Sequence, residues 1–136
     1  MSEIQARRDH GEKLEFMKIS NPTARMGEDL AANFLKKKGY KIIDRNFRLG
    51  YGEIDIIAVK KNTLVFVEVK TRRGSLYGTP FEQISSNKLR TIVRTAQFYK
   101  LNNPKLPGSL RIDAIGVILD ENMNLKDLQH IENITL

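Results

Sequence analysis

Apolar positions recur at helical spacing in two segments of the chain. The first segment follows Asn21 and Pro22, which suit a helix N-cap and the first helical position, and Gly39 suits its end. The second segment runs from about Ser86 to Leu101, and prolines and a glycine follow it. The spacing therefore predicts two helices.

Runs rich in β-branched residues predict strands between and after these helices. They cover residues 40–47, 53–59, 64–70, 110–119 and, as an optional fifth strand, 126–134. The short gap after the second run predicts a hairpin, whereas residues 71–80 contain two glycines and a proline and predict a loop. A helix between the third and fourth strands permits a right-handed crossover to a parallel neighbour. The order predicts a mixed α/β domain with a central sheet flanked by helices.

The 136 residues fit one domain. Residues 1–21 are polar and mixed in charge, so we assign them to a flexible N-terminal extension and residues 22–136 to the domain. No apolar run approaches the roughly 18–20 residues of a membrane span, and the N-terminus lacks the apolar run of a signal peptide. We therefore expect a cytoplasmic protein without a membrane partner.

Composition excludes several kinds of chemistry. The chain has no cysteine, which excludes disulfides, thiolate catalysis and zinc or iron–sulfur sites built on cysteine. Its two histidines, His10 and His130, are far apart in sequence, so one chain cannot build a His-rich metal site. A Ser–His hydrolase centre has few candidates for the same reason.

Positive charge is concentrated in the body of the domain. Residues 21–119 contain 18 basic and 8 acidic residues, a net charge of +10, whereas residues 120–136 contain one basic and four acidic residues. A body of this charge indicates a polyanion partner, most simply nucleic acid. The alternative is a basic protein with no such role.

Two carboxylates interrupt the apolar strands. Asp55 lies in the run IDII and Glu68 in the run VFVEV. Runs of this kind are typical of strands buried on both faces, where a carboxylate must be paired, hydrogen-bonded or bound to a metal. Lys70 lies two residues after Glu68 and therefore on the same face of its strand.

The hairpin brings these three residues together in either of two registers. A turn at Lys61-Asn62 places Asp55 opposite Glu68, where like charges destabilise the pair and a divalent cation removes the conflict. A turn centred one residue later places Asp55 opposite Lys70, with Glu68 as the diagonal neighbour. An ammonium beside a metal-bound water can orient that water and stabilise a charged transition state. The alternative is a partly buried salt bridge with no catalytic role.

Further residues are candidates for the same site. Glu28 on the first helix could add a ligand, although it could equally be a first-turn acid that favours the helix dipole. Glu53 shares the face of Asp55 and is a lesser candidate. We expect Arg111 and Asp113 to form a solvent-side or edge pair.

Basic residues that follow the acidic cluster suit contacts to phosphates. They are Arg72, Arg73, Lys88, Arg90 and Arg94. The alternative is an ordinary solvated surface. Tyr51 and Tyr77 lie in loops beside the site and could stack on bases.

This constellation resembles the PD-(D/E)xK nuclease superfamily, and more closely the uncharacterised YraN-type bacterial family, which is similar to archaeal Holliday-junction resolvases. The resemblance spans about residues 22–134. The matching segments are Arg25-Met26-Gly27-Glu28, Gly52-Glu53-Ile54-Asp55, Phe66-Val67-Glu68-Val69-Lys70-Thr71-Arg72, and Gly78-Thr79-Pro80 with Glu82, Lys88 and Ala96. The proline of the superfamily name is absent, since Glu53-Ile54 precedes Asp55.

The resemblance implies a restriction-endonuclease-like αβββαβ core and a metal-dependent endonuclease that acts on DNA, including branched or junction DNA. It implies that Asp55 and Glu68 bind Mg²⁺ or Mn²⁺, that Lys70 assists the attacking water, and that Glu28 is a supporting ligand. It also implies a homodimer. Two alternatives stay open: a nucleic-acid-binding module without catalysis on the same fold, and a structural domain that binds an acidic protein partner.

Overall fold

A computed structural model describes residues 21–74 and 84–135. The elements are α1 (Pro22–Lys37), β1 (Lys41–Leu49), β2 (Gly52–Lys60), β3 (Thr63–Arg73), α2 (Ser86–Leu101), β4 (Ser109–Leu119) and β5 (Leu125–Ile131). This order confirms the predicted mixed α/β fold and the optional fifth strand. In these residues no helix is long and apolar enough to cross a membrane.

Both helices begin at the caps that their sequences supply. The Asn21 side chain accepts hydrogen bonds from the backbone N–H groups of Thr23 and Ala24 at 3.1 and 3.2 Å. The Ser85 hydroxyl accepts the backbone N–H of Lys88 at 3.1 Å at the start of α2. Each cap satisfies donors that have no partner within the helix, so the start of each helix is fixed.

The five strands form one sheet in the order β1-β2-β3-β4-β5. β3 and β4 are parallel, as the intervening helix α2 allows, and the other neighbouring pairs are antiparallel. β3 continues past its predicted end at Lys70 because β4 pairs with it as far as Arg73. The first residues of the predicted loop 71–80 are therefore strand, and residues 75–80 lie outside the described part of the chain.

The β2–β3 hairpin has the first of the two predicted registers. Val59 pairs with Leu64 and Ile56 with Val67, around a turn at Lys61-Asn62. The alternative register, displaced by one residue, is wrong. This register determines which side chains of β2 and β3 share a face.

The sheet separates two apolar cores. On β3, Val65, Val67 and Val69 belong to the core that includes α1 residues, whereas Leu64 and Phe66 belong to the core that includes α2 residues. Strand alternation continues past Phe66, so Glu68 and Lys70 follow on the α2 side of the sheet. The fold thus directs both residues towards helix α2.

A buried polar network corrects the expectation for the start of β4. Asp113 is fully buried rather than on a solvent-side edge. Its carboxylate accepts hydrogen bonds from Arg111 Nε at 2.9 Å and from the backbone N–H of Asn133 at 3.0 Å, and His130 Nε2 lies 2.8 Å away. Arg111 also donates to the Tyr40 hydroxyl at 2.8 Å. The expected pair of Arg111 and Asp113 does form, but its predicted location was wrong, because β5 and the segment after it lie beside β4.

These partners set the charge state of Asp113. Burial alone raises the pKa of a carboxyl group, but the hydrogen bonds from His130, Arg111 and Asn133 outweigh it. The pKa of Asp113 is therefore lowered from its ordinary value of 3.8. A carboxyl group whose pKa is lower in the folded state stabilises the fold above its unfolded pKa.

Replacing Asp113 should strongly destabilise the domain. Asp113→Ala leaves Arg111 and His130 without their shared buried partner, and we expect a loss of about 3–5 kcal/mol in urea unfolding at pH 7. The variant should also lack the part of the parent's stability that disappears as the pH falls below about 3.8 and through the lower folded pKa. Asp127→Ala, at an exposed position of β5, is the matched control, and an equally small effect of both substitutions would contradict this role for Asp113.

Candidate active site

A cleft of about 360 Å³ opens where β2 and β3 meet the first turns of both helices. Its lining residues are Asn21, Thr23, Ala24, Glu28, Arg48, Glu53, Asp55, Glu68, Val69, Lys70, Thr71 and Lys88. The structure therefore brings Glu28, Asp55, Glu68 and Lys70 to one cleft. Lys88, which we predicted only as a phosphate contact, lies among them.

Asp55 lies where the β2–β3 ladder ends. The last pair at this end is Ile56 with Val67, and the Asp55 Oδ2 atom accepts the backbone N–H of Val69 at 2.8 Å. The carboxylate thus takes the place of the next strand partner. It is 3% exposed, so its position is fixed by the strand and by this hydrogen bond.

Glu68 is paired with two lysines. It is 5% exposed, and its Oε1 atom lies 2.7 Å from Lys88 Nζ and 3.6 Å from Lys70 Nζ. The nearer cation therefore comes from helix α2 and not from the same strand. This contact could not be predicted from the sequence, because it depends on where the crossover places α2 on the sheet.

The two lysines differ in their electrostatics. Burial, followed by the hydrogen bond with Lys88, lowers the pKa of Lys70 against the opposing attraction of Glu68. Burial also lowers the pKa of Lys88, but the attraction and hydrogen bond of Glu68 outweigh it, so that pKa is raised. Lys88 is thus the firmly protonated partner of Glu68, and Lys70 gives up its proton more readily.

Glu28 is not the first-turn acid that we considered as an alternative. It lies beyond the first turn of α1, which holds no acidic residue, and it is 4% exposed. The preceding residue explains this position. A Cβ atom on Gly27 would lie 1.8 Å from the Oγ1 atom of Thr71, far inside contact distance. Only glycine allows α1 to approach β3 this closely, and the approach brings Glu28 to the wall of the cleft.

Arg48 is a cleft residue that sequence reasoning missed. Its Nη1 atom lies 2.8 Å from Glu53 Oε2, and its side chain is 5% exposed. The Nε and Nη2 atoms of Arg48 are buried without a hydrogen-bond partner among the described residues. The turn at Gly50-Tyr51 could have revealed the pair, because a tight hairpin there places Arg48 opposite Glu53.

The other predicted phosphate contacts lie away from the cleft lining. Arg73 donates to the backbone carbonyl of Glu121, and Arg72 precedes it on β3. Arg90 and Arg94 are exposed on α2 and line a separate groove. The turn residue Tyr51 is 95% exposed, whereas Tyr77, Gly78-Thr79-Pro80 and Glu82 lie outside the described residues.

The donor set fits a cation that keeps part of its hydration shell. Within residues 21–74 and 84–135, no three Asp, Glu or His side chains are placed to hold a metal ion together. Mg²⁺ does not need such a cage, since it commonly binds one or two carboxylates together with water and phosphate oxygens. The buried carboxylates Asp55 and Glu68 on one open cleft meet this requirement.

Comparison with known sequences matches the chain to a family. The sequence model described as "Uncharacterised protein family UPF0102" matches residues 27–117, which include all four predicted catalytic residues. A "UPF0102 protein" of Alkaliphilus oremlandii is 46% identical over 110 residues, covering 79% of this chain and 92% of that protein. One of Thermotoga petrophila is 45% identical over 109 residues (80% and 93%), and one of Syntrophomonas wolfei is 37% identical over 107 residues (79% and 91%).

Adding one methyl group at Gly27 should disturb the cleft. Gly27→Ala drives a Cβ atom into the Thr71 side chain, and we expect destabilisation of about 1–3 kcal/mol in urea unfolding. Combining it with Thr71→Ala, which removes the closest atom, should recover part of this loss. Gly108→Ala is the control, because a Cβ atom there has no atom within 4 Å. Equal stability of the Gly27 and Gly108 variants would contradict the close packing of α1 on β3.

Proposed function

The chain belongs to the uncharacterised protein family UPF0102, and we propose that it is a divalent-metal-dependent endonuclease that hydrolyses phosphodiester bonds in DNA. The observation that carries this proposal is the position of Asp55 and Glu68. Both carboxylates are almost fully buried within strands, yet both line one cleft together with Lys70. A site of this composition can hold a cation beside a phosphate.

A purely structural role explains the carboxylates less well. Burying an ionised carboxylate is unfavourable unless strong partners compensate, and apolar residues of similar size would serve packing as well or better. Here two such carboxylates line the same open cleft, and Glu28 lies on its wall. Several buried carboxylates beside a cationic side chain are typical of a catalytic site.

Each side chain has a role that follows from its position. Asp55 and Glu68 would hold Mg²⁺ or Mn²⁺, with Glu28 in support, and the bound cation would supply an activated water and polarise the phosphate. Lys70 would orient the attacking water and stabilise negative charge that develops on the phosphate. Burial lowers the pKa of Lys70, which suits a group that exchanges a proton with water.

The basic body of the domain supports nucleic acid as the substrate. Residues 21–119 carry a net charge of +10. Lys88 lines the cleft, and Arg90 and Arg94 lie exposed further along α2. The phosphate backbone of DNA could therefore continue from the cleft along this helix. Arg72, which lies two residues after Lys70 on β3 and on the same face, would extend the contact. A homodimer would present two clefts to the strands of a junction.

A binding module without catalysis is the second candidate. The observation in its favour is that Glu68 already has Lys88 as a counter-ion and Asp55 already accepts a backbone N–H. Such a module would bind DNA and leave it uncut with any metal. Its affinity would fall steeply with salt, with a log–log slope of about 0.9 for each phosphate contacted on duplex DNA.

A cleavage assay tests the proposal. We expect the parent protein to cut at least one of a labelled four-way junction, a flap, a single strand and a plain duplex with Mg²⁺ or Mn²⁺, and none of them with EDTA. Glu68→Ala and the closer mimic Glu68→Gln should reduce the rate by about a hundredfold or more, since both variants lose a ligand of the cation that stabilises the transition state. Their DNA affinity should stay the same or increase.

Glu121→Ala is the matched control, because it removes one exposed carboxylate outside the cleft. Cleavage by the Glu68 variants at the parent's rate would contradict the proposal. Binding without cleavage by the parent on all four substrates and with both metals would favour the binding module.

A further inference from the structure

Lys88 holds the position beside Glu68 that a divalent cation requires. We propose that Lys88 is a built-in counter-ion that neutralises Glu68 in the metal-free protein, competes with the metal for that carboxylate, and is released when the metal binds. This inference rests on the proposed function, because it assumes that Glu68 is a metal ligand. Lys88 would therefore be a positioning residue, and it would contact a phosphate only after the metal has bound.

Distances single out Lys88 from the other lysine of the cleft. Its ammonium lies 2.7 Å from Glu68 Oε1, a direct ion pair, whereas that of Lys70 lies 3.6 Å from the same atom. A metal that binds this carboxylate must approach to about 2 Å and would carry twice the charge of the ammonium. Two cations so close to one carboxylate oxygen repel each other strongly, so the metal and the Lys88 ion pair exclude one another.

Formal charges in the cleft point the same way. Its lining contains four acidic residues and three basic ones, and Arg48 and Glu53 neutralise each other in a 2.8 Å pair. Three carboxylates and two lysines remain, with a net charge of −1. Removal of the Lys88 ammonium changes this net charge to −2, which matches one divalent cation. The net charge of the cleft is therefore −1 with Lys88 in place and zero when a divalent cation replaces the Lys88 ammonium.

The attachment of Lys88 allows it to leave. Its backbone is fixed in the first turn of α2 by the Ser85 cap, but its side chain is 37% exposed, compared with 20% for Lys70. The long side chain can therefore turn from Glu68 towards solvent without any movement of the helix. Arg90 lies two residues further along the same helix and is exposed. A released Lys88 would join a cationic surface where a phosphate can bind.

Titration of the protein with Mn²⁺ alone, without DNA, tests the competition. We expect isothermal titration calorimetry to show Mn²⁺ binding to Lys88→Gln about tenfold tighter or more than to the parent, because the competing charge is gone. In EDTA the same variant should melt at a lower temperature than the parent, since Glu68 lacks its counter-ion. Saturating Mn²⁺ should raise the melting temperature of the variant more than that of the parent.

Two variants control for charge and for side-chain loss. Lys88→Arg keeps a cation beside Glu68 and should bind Mn²⁺ as weakly as the parent. Arg90→Gln removes the same charge from the same helix outside the cleft, where Arg90 contacts Asn87, and should leave Mn²⁺ affinity unchanged. A merely structural Lys88 would lower the melting temperature in EDTA without changing the affinity for Mn²⁺.

The outcomes separate this inference from the function on which it rests. If the parent binds Mn²⁺, loses binding in Glu68→Ala and binds no more tightly in Lys88→Gln, the competition is wrong and the metal site stands. If neither the parent nor Lys88→Gln binds Mn²⁺, both are overturned. Should Lys88→Gln fail to fold, ¹⁵N NMR of the parent's lysine ammonium groups decides. Added Mg²⁺ must then abolish the Lys88 signal that the Glu68 ion pair protects from exchange, and an unchanged signal at saturating Mg²⁺ would overturn the proposal.

Discussion

Two carboxylates buried at the open end of a β-hairpin constrain the rest of this domain. Asp55 and Glu68 lie at neighbouring positions of β2 and β3, beyond the last ladder pair of Ile56 with Val67. Apolar strands on both sides remove them from water, so each needs a strong partner. The structure supplies a backbone N–H to Asp55 and an ammonium to Glu68, and it leaves the cleft between the helices open above them.

Both helices position residues of the cleft as well as residues of the core. Gly27 permits the close approach of α1 to β3 that brings Glu28 to the cleft wall, and the Ser85 cap fixes the turn of α2 from which Lys88 reaches Glu68. The Asp113 network lies on the side of β4 that faces the α1 core and anchors the segment after β5. Charge is thus buried at two places: the Asp113 carboxylate is enclosed and hydrogen-bonded on several sides, whereas Asp55 and Glu68 line an open cleft.

The sequence predicts the parts of this site that depend on local geometry. Strand alternation and a two-residue turn are enough to place Asp55, Glu68 and Lys70 together. The Asn21-Pro22 cap locates the first helix, and apolar spacing locates the second. The contact of Lys88 with Glu68 depends on the position of α2 after the crossover, and the burial of Asp113 depends on pairing between β4 and β5. For Glu28, helical spacing left open whether it joins the site or is a first-turn acid, and tertiary packing at Gly27 decides between the two. These misses arise from contacts between elements that are distant in sequence.

The central claim is that Asp55 and Glu68 form a divalent-cation site, and anomalous diffraction tests it most directly. A crystal soaked in saturating Mn²⁺, with data collected at the manganese edge, would locate the ion without reference to activity. The account predicts an anomalous peak in the cleft at about 2 Å from a carboxylate oxygen of each residue, with the Lys88 ammonium moved away from its 2.7 Å contact with Glu68. A cleft without a peak, with Lys88 still paired to Glu68, would contradict it.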